Sequence, residues 1–97
     1  MFSDIRKTLE DRLHDFQSEA RYLTALVKTT TKDIEKLSIS LETVAAMYGD
    51  HSGVYDAAAA VLNRRRADRQ DQRVELSENL AYATLARDAI NILTPVG

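Results

Sequence analysis

No cysteine and no tryptophan occur in this chain, proline occurs once, at position 95, and there are three glycines. Each shortage excludes something. Without cysteine there is no disulfide scaffold, no thiolate zinc site and no thiol nucleophile, and the balance leans toward an intracellular protein. With so few turn residues an all-β fold is excluded, while a hydrophobic content of 44% is too high for a disordered chain. Long apolar runs are missing too. The longest, AAAAVL at 57–62, falls far short of the roughly 20 residues that span a bilayer. The amino terminus, MFSDIRKTLEDR, carries charge from its fourth residue, so neither a secretory leader nor a membrane anchor is expected. The expected location is therefore soluble and cytoplasmic, or peripheral to a membrane.

What the chain does have is helical periodicity. Leu9, Leu13, Phe16, Ala20, Leu23, Val27, Thr30, Ile34, Leu37, Leu41, Val44 and Tyr48 follow one another in alternating steps of 4 and 3. Such a heptad seam keeps one stripe facing a partner helix, and only Thr30 interrupts its apolar character. Ser3 is a suitable N-cap, with Asp4 well placed for the helix dipole. In YGDHSG at 48–53, Gly49 can close this helix in the left-handed conformation, and Asp50 or Ser52 can cap the next. The three consecutive threonines at 29–31 offer an alternative, a fresh cap that would break the segment into two helices.

A second helix is expected over about 53–93 and ends where Pro95 disfavours a helical Thr94. With a first helix over about 4–48 and a turn at 49–52, the arms are about 67 and 60 Å long, matched for an antiparallel hairpin. The expectation is one all-α helical domain over residues 1–97, a coiled-coil hairpin that dimerises into a helical bundle. In the second arm Tyr55, Ala58, Val61 and Leu62 supply apolar surface near the turn. Leu76, Leu80, Ala83, Ile90 and Leu93 supply it at the far end. Between them the seam reads Arg65, Arg69 and Gln72.

This polar interval belongs to NRRRADRQDQR at 63–73, which holds Arg64, Arg65, Arg66, Arg69 and Arg73 in a chain of net charge −2. In a hairpin turning near residue 51 it lies beside residues 27–39, where the first helix offers apolar Val27, Ile34 and Leu37. Two arrangements resolve the mismatch. Either arginine stems lie over those side chains with their guanidinium groups in water, or a second copy covers them, with Leu23, Val27, Ile34 and Leu37 as the self-association residues. Counting charges over 28–36 and 64–75 gives the hairpin's middle +3 and leaves −5 for the rest. The arginines are accordingly a solvated face, a contact with another copy of the chain, or a phosphate-binding belt. Nucleic acid is the weaker phosphate partner, because the tyrosines are not interleaved with the arginines as base-stacking platforms require.

Residues 34–90, IEKLSISLETVAAMYGDHSGVYDAAAAVLNRRRADRQDQRVELSENLAYATLARDAI, resemble the first two helices of a BAR domain of the sorting-nexin type. In that family a long first helix ends in a short turn before a second helix with a glutamate, leucine and tyrosine stretch, matched here by Glu78, Leu80 and Tyr82. The family's third long helix and its phosphoinositide-binding domain have no counterpart in these 97 residues. The resemblance implies a dimer whose basic face rests on anionic membrane, with Arg64, Arg65, Arg66, Arg69 and Arg73 the phosphate-binding candidates.

No chemistry is legible elsewhere. His14 has Glu10 and Asp11 within a helical turn and Asp88 across the hairpin, but it neighbours a seam residue and reads as a surface histidine, so no metal site is expected. Glycine-rich phosphate loops, serine nucleophile motifs and paired Glu-x-x-His motifs are absent. The expectation is a non-enzymatic assembly or adaptor protein without cofactors, its protein partner not named by the sequence.

Overall fold

The computed structural model describes residues 2–94 and contains two helices, α1 over Phe2–Tyr48 and α2 over Gly53–Leu93, joined by a turn. The chain is an all-α helical hairpin. Helix α1 begins at Phe2, so Ser3 lies inside the helix rather than capping it, while Asp4 sits in the first turn as expected. No break occurs at 29–31. Thr30 is buried in the seam at 1% exposure, and Thr29 satisfies its hydroxyl by donating to the Ala25 carbonyl at 3.2 Å. Back-bonding of that kind lets β-branched hydroxyl residues sit in a helix interior. Thr24, Ser38, Ser40 and Thr43 do the same along α1.

The turn resolves the choice of caps. Gly49 has φ of 84° and its N–H donates to the Ala45 carbonyl at 2.9 Å, closing α1 in the left-handed conformation that costs glycine nothing. Ser52, not Asp50, caps α2. Its hydroxyl oxygen accepts from the Tyr55 N–H at 3.1 Å, its carbonyl accepts from the Asp56 N–H at 3.1 Å, and its hydroxyl donates back to the Gly49 carbonyl. Asp50 instead lies beside His51 in the exposed turn. Helix α2 ends at Leu93, with Thr94 donating its hydroxyl to the Ile90 carbonyl at 2.8 Å. Pro95, held responsible for that end in the sequence, lies outside the described residues.

Two compact units divide the hairpin, Ala25–Arg73 around the turn and Met1–Thr24 with Val74–Gly97 at the termini. In the turn unit the buried residues are Thr30, Ile34 and Leu62; in the terminal unit they are Ala20, Leu23, Ala83 and Ala86. The α1 seam is inward as its heptads require, except Tyr48, which is exposed. On α2 the inward residues are Tyr55, Ala58, Leu62, Arg65, Arg69, Gln72, Leu76, Asn79, Ala83, Ala86, Ile90 and Leu93, again in alternating steps of 3 and 4. Val61 and Leu80, expected among the apolar seam residues, are exposed. Each lies one position from a seam residue, and one position turns a helix by about 100°.

Candidate functional site

The polar stretch of the α2 seam is where sequence and packing conflict, and its residues act differently from one another. Arg65 occupies a seam position, yet its head reaches two carboxylates. Its Nη2 donates to Asp33 Oδ2 across the hairpin at 2.7 Å, and its Nη1 donates to Asp68 Oδ2 one turn along α2 at 3.2 Å. The hydrogen bond to Asp33, then that to Asp68, raises the Arg65 pKa above the usual arginine value against a smaller opposing effect of desolvation. The three side chains keep 36–40% of their surface exposed, so solvent screens the pairs and their role is geometric more than energetic. One guanidinium held by both helices fixes which residue of α2 sits opposite Asp33.

Arg69 extends the link with a long hydrogen bond, 3.5 Å from its Nη1 to Thr31 Oγ1. Gln72 is less well served. Its Oε1 is buried and has no hydrogen-bond partner. Arg64, Arg66 and Arg73 are exposed, and among the described residues none has a carboxylate within 4.0 Å. Five arginines adjacent in sequence therefore split into Arg65 and Arg69, which tie the two helices together, and three that face water. Arg66 and Arg73 each follow a seam residue, whereas Arg64 and Asp68 each precede one, so the three exposed arginines do not share one side of the α2 seam.

Of the four residues expected to mediate self-association, Leu23 and Ile34 are 2% and 6% exposed, while Val27 and Leu37 are half-buried. All four belong to the hairpin's own seam. Ile34 needs no second copy to cover it, and the half-buried Arg65 and Arg69 are consistent with stems lying over apolar neighbours. The free apolar surface lies elsewhere: Tyr22, Ile39, Met47, Val54, Val61, Val74, Leu80, Tyr82, Leu85 and Ile92 are all exposed. Val61 and Leu80 among them were expected in the seam, and the others stand at no seam position of the expected heptads. A second spacing of 3, 4 and 3 at residues 82, 85, 89 and 92 was the signal that marked some of them out.

His14 is exposed on α1. A concavity between the helices of the terminal unit is an open groove lined by Gln17, Ala20, Arg21, Thr24 and Leu80, too shallow to enclose a small molecule. No helix among the described residues is long and apolar enough to cross a membrane. Comparison with protein-family models, curated proteins and solved structures finds no match to the chain.

Proposed function

We propose that the chain is a non-enzymatic assembly or adaptor protein that works through self-association. The observation that carries this reading is unspent surface. Its accessible area is 7126 Å², whereas a compact monomer of the same mass exposes about 5,600 Å². The excess of about 1,500 Å² is more than the roughly 800 Å² each partner buries in a standard interface. Large apolar side chains stand exposed on both helices, from Tyr22 on α1 to Ile92 on α2, and exposed apolar surface beyond a few scattered residues marks interaction sites. Burial in a dimer stabilises the folded state by mass action, so the melting temperature of the purified protein rises with its concentration. A melting temperature independent of concentration contradicts self-association.

A second reading rests on Arg64, Arg66 and Arg73, which stand exposed without carboxylate partners, and on the resemblance to BAR domains. In it the arginine belt binds anionic lipid headgroups at a membrane surface. Co-sedimentation with vesicles of increasing anionic lipid content tests it. Binding that grows with lipid charge and is lost when Arg64, Arg66 and Arg73 are all replaced by glutamine supports this reading, and absence of binding at high anionic content eliminates it.

A further inference from the structure

Arg69 is the seam arginine of α2 that has no anionic partner. It is half-buried, yet among the described residues no carboxylate lies within 4.0 Å of it, and its one hydrogen bond is the 3.5 Å contact with Thr31 Oγ1. Asp33 and Asp68 are engaged by Arg65 instead. A guanidinium partly withdrawn from water is stabilised by a counter-charge, which a neutral hydroxyl does not supply. Thr31 has hydrogen-bonding capacity to spare as well. Thr24, Thr29 and Thr43 donate their hydroxyl protons to the carbonyl one turn back, whereas Thr31 accepts from Arg69 and donates to no acceptor among the described residues.

More cations gather at this contact, all of them within the turn unit. Arg73 stands one turn along α2 from Arg69, and Lys28 one turn back along α1 from Thr31. Because the helices of the hairpin run antiparallel, those two directions coincide, and Lys28 and Arg73 come to the same end of the Arg69–Thr31 contact. Both are exposed, and neither has a carboxylate within 4.0 Å among the described residues. Arg66, Arg69 and Arg73 fall within an arc of about 60° on α2, with Arg64 and Asp71 at least about 140° away from each. On α1 the carboxylate of this side is Glu35, one turn from Thr31 in the direction away from Lys28, and so toward Arg66.

We infer that Lys28, Thr31, Arg69 and Arg73 form a binding site for one phosphate group, with Arg66 at its rim. The chemistry of the donors selects the ligand. A carboxylate brings a single charge to three cations, whereas a phosphate monoester brings between one and two and offers three acceptor oxygens. The planar forks of two arginines match pairs of those oxygens, the lysine adds a point charge, and the free proton of Thr31 is a neutral donor beside them. The site shares Arg66 and Arg73 with the membrane reading above but goes beyond it. It takes the phosphate group itself, carried by a lipid headgroup or free in solution, and it depends on Arg69 and not on Arg64.

The test titrates the full chain with inorganic phosphate at constant ionic strength, followed by the backbone amide shifts in nuclear magnetic resonance. A second arm measures co-sedimentation with vesicles of a phosphomonoester lipid and with vesicles of a phosphodiester lipid at equal surface charge. The shifts should centre on Lys28, Thr31, Arg69 and Arg73 and saturate at one phosphate per chain. Arg69→Gln and Arg73→Gln should each weaken binding about tenfold or more, and circular dichroism should show the Arg73→Gln chain, altered only at an exposed position, as helical as its parent. Arg64→Gln makes the same change in net charge and should stay within about twofold of the parent. Vesicle binding that prefers the phosphomonoester supports the site and makes a lipid headgroup its source. Phosphate bound without any vesicle binding supports the site with the free ion as its source and eliminates the membrane reading. Vesicle binding without saturable phosphate shifts overturns the site while leaving the membrane reading standing, as does a loss with Arg64→Gln as large as that with Arg73→Gln. Absence of binding in both arms overturns the two together.

Discussion

Replacing Gln72 with leucine should make the protein more stable. Gln72 lies in the α2 seam between Arg69 and Leu76, and its side-chain oxygen is buried without a hydrogen-bond partner. A buried acceptor left unmade costs about 1–3 kcal/mol, and a leucine of similar length removes that cost while extending the apolar seam toward Leu76. The contacts of Arg65 with Asp33 and of Arg69 with Thr31 place residues near Val27 opposite position 72, so the new side chain meets an apolar neighbour. A gain of about 2 kcal/mol raises the melting temperature of a domain this size by roughly 8–16 °C. Thermal denaturation followed by circular dichroism, at equal protein concentration for both chains, reads the shift. Urea titration should move its midpoint with little change in slope. Gln72→Glu, which puts a carboxylate in the same place, should melt lower than the parent. A leucine variant that melts at or below the parental temperature would refute the reasoning, because it would mean that the amide is satisfied or that the site has no room for the branched side chain.

Five further substitutions probe the hairpin itself. Arg65→Leu removes the cation shared by Asp33 and Asp68, and should lower the melting temperature by the same amount at every protein concentration, since both partners belong to the same chain. Arg66→Leu should not. The raised pKa of Arg65 contributes stability that is present at every pH below the ordinary arginine value and is lost only above it, so the difference between parent and Arg65→Leu from this source should stay flat through the neutral range. In the turn, Gly49→Ala should cost about 1–2 kcal/mol from its φ of 84° alone, as nothing crowds the added methyl group. Ser52→Ala should cost about 1 kcal/mol through loss of the cap on the Tyr55 N–H. Leu23→Ala, at one of the most deeply buried side chains, should cost about 2–5 kcal/mol in chemical denaturation.

The architecture was legible because one physical signal ran through it. The α1 heptads persist from Leu9 to Val44, and burying them needs only one antiparallel neighbour, which Gly49 and Ser52 supply by turning the chain. The threonines at 29–31 offered a break as the alternative because β-branched residues signal helix breaks, whereas burial of Thr30 and back-bonding by Thr29 make them compatible with the continuous helix that the heptads predict. On α2 the seam was harder to see. Arg65, Arg69, Gln72 and Ala83 were placed in it, but Asn79 and Ala86 carry little hydrophobic signal, so the larger Val61 and Leu80 drew attention although both face outward. The arginine cluster was visible as composition, but the division of labour within it was not. That Arg65 reaches Asp33, 32 residues away, depends on the register of the two helices, which no local pattern specifies. Leu23, Val27, Ile34 and Leu37 belonged to the arrangement in which a second copy covers them, and the burial of Ile34 within the single chain agrees with the other arrangement, arginine stems over apolar neighbours.

Sedimentation equilibrium of the unmodified chain across the micromolar range decides whether the hairpin assembles with its own copies. The mass should rise with concentration from one copy, 10.9 kDa, to two. A mass that holds at one copy throughout, with the helices still formed by circular dichroism, would contradict it.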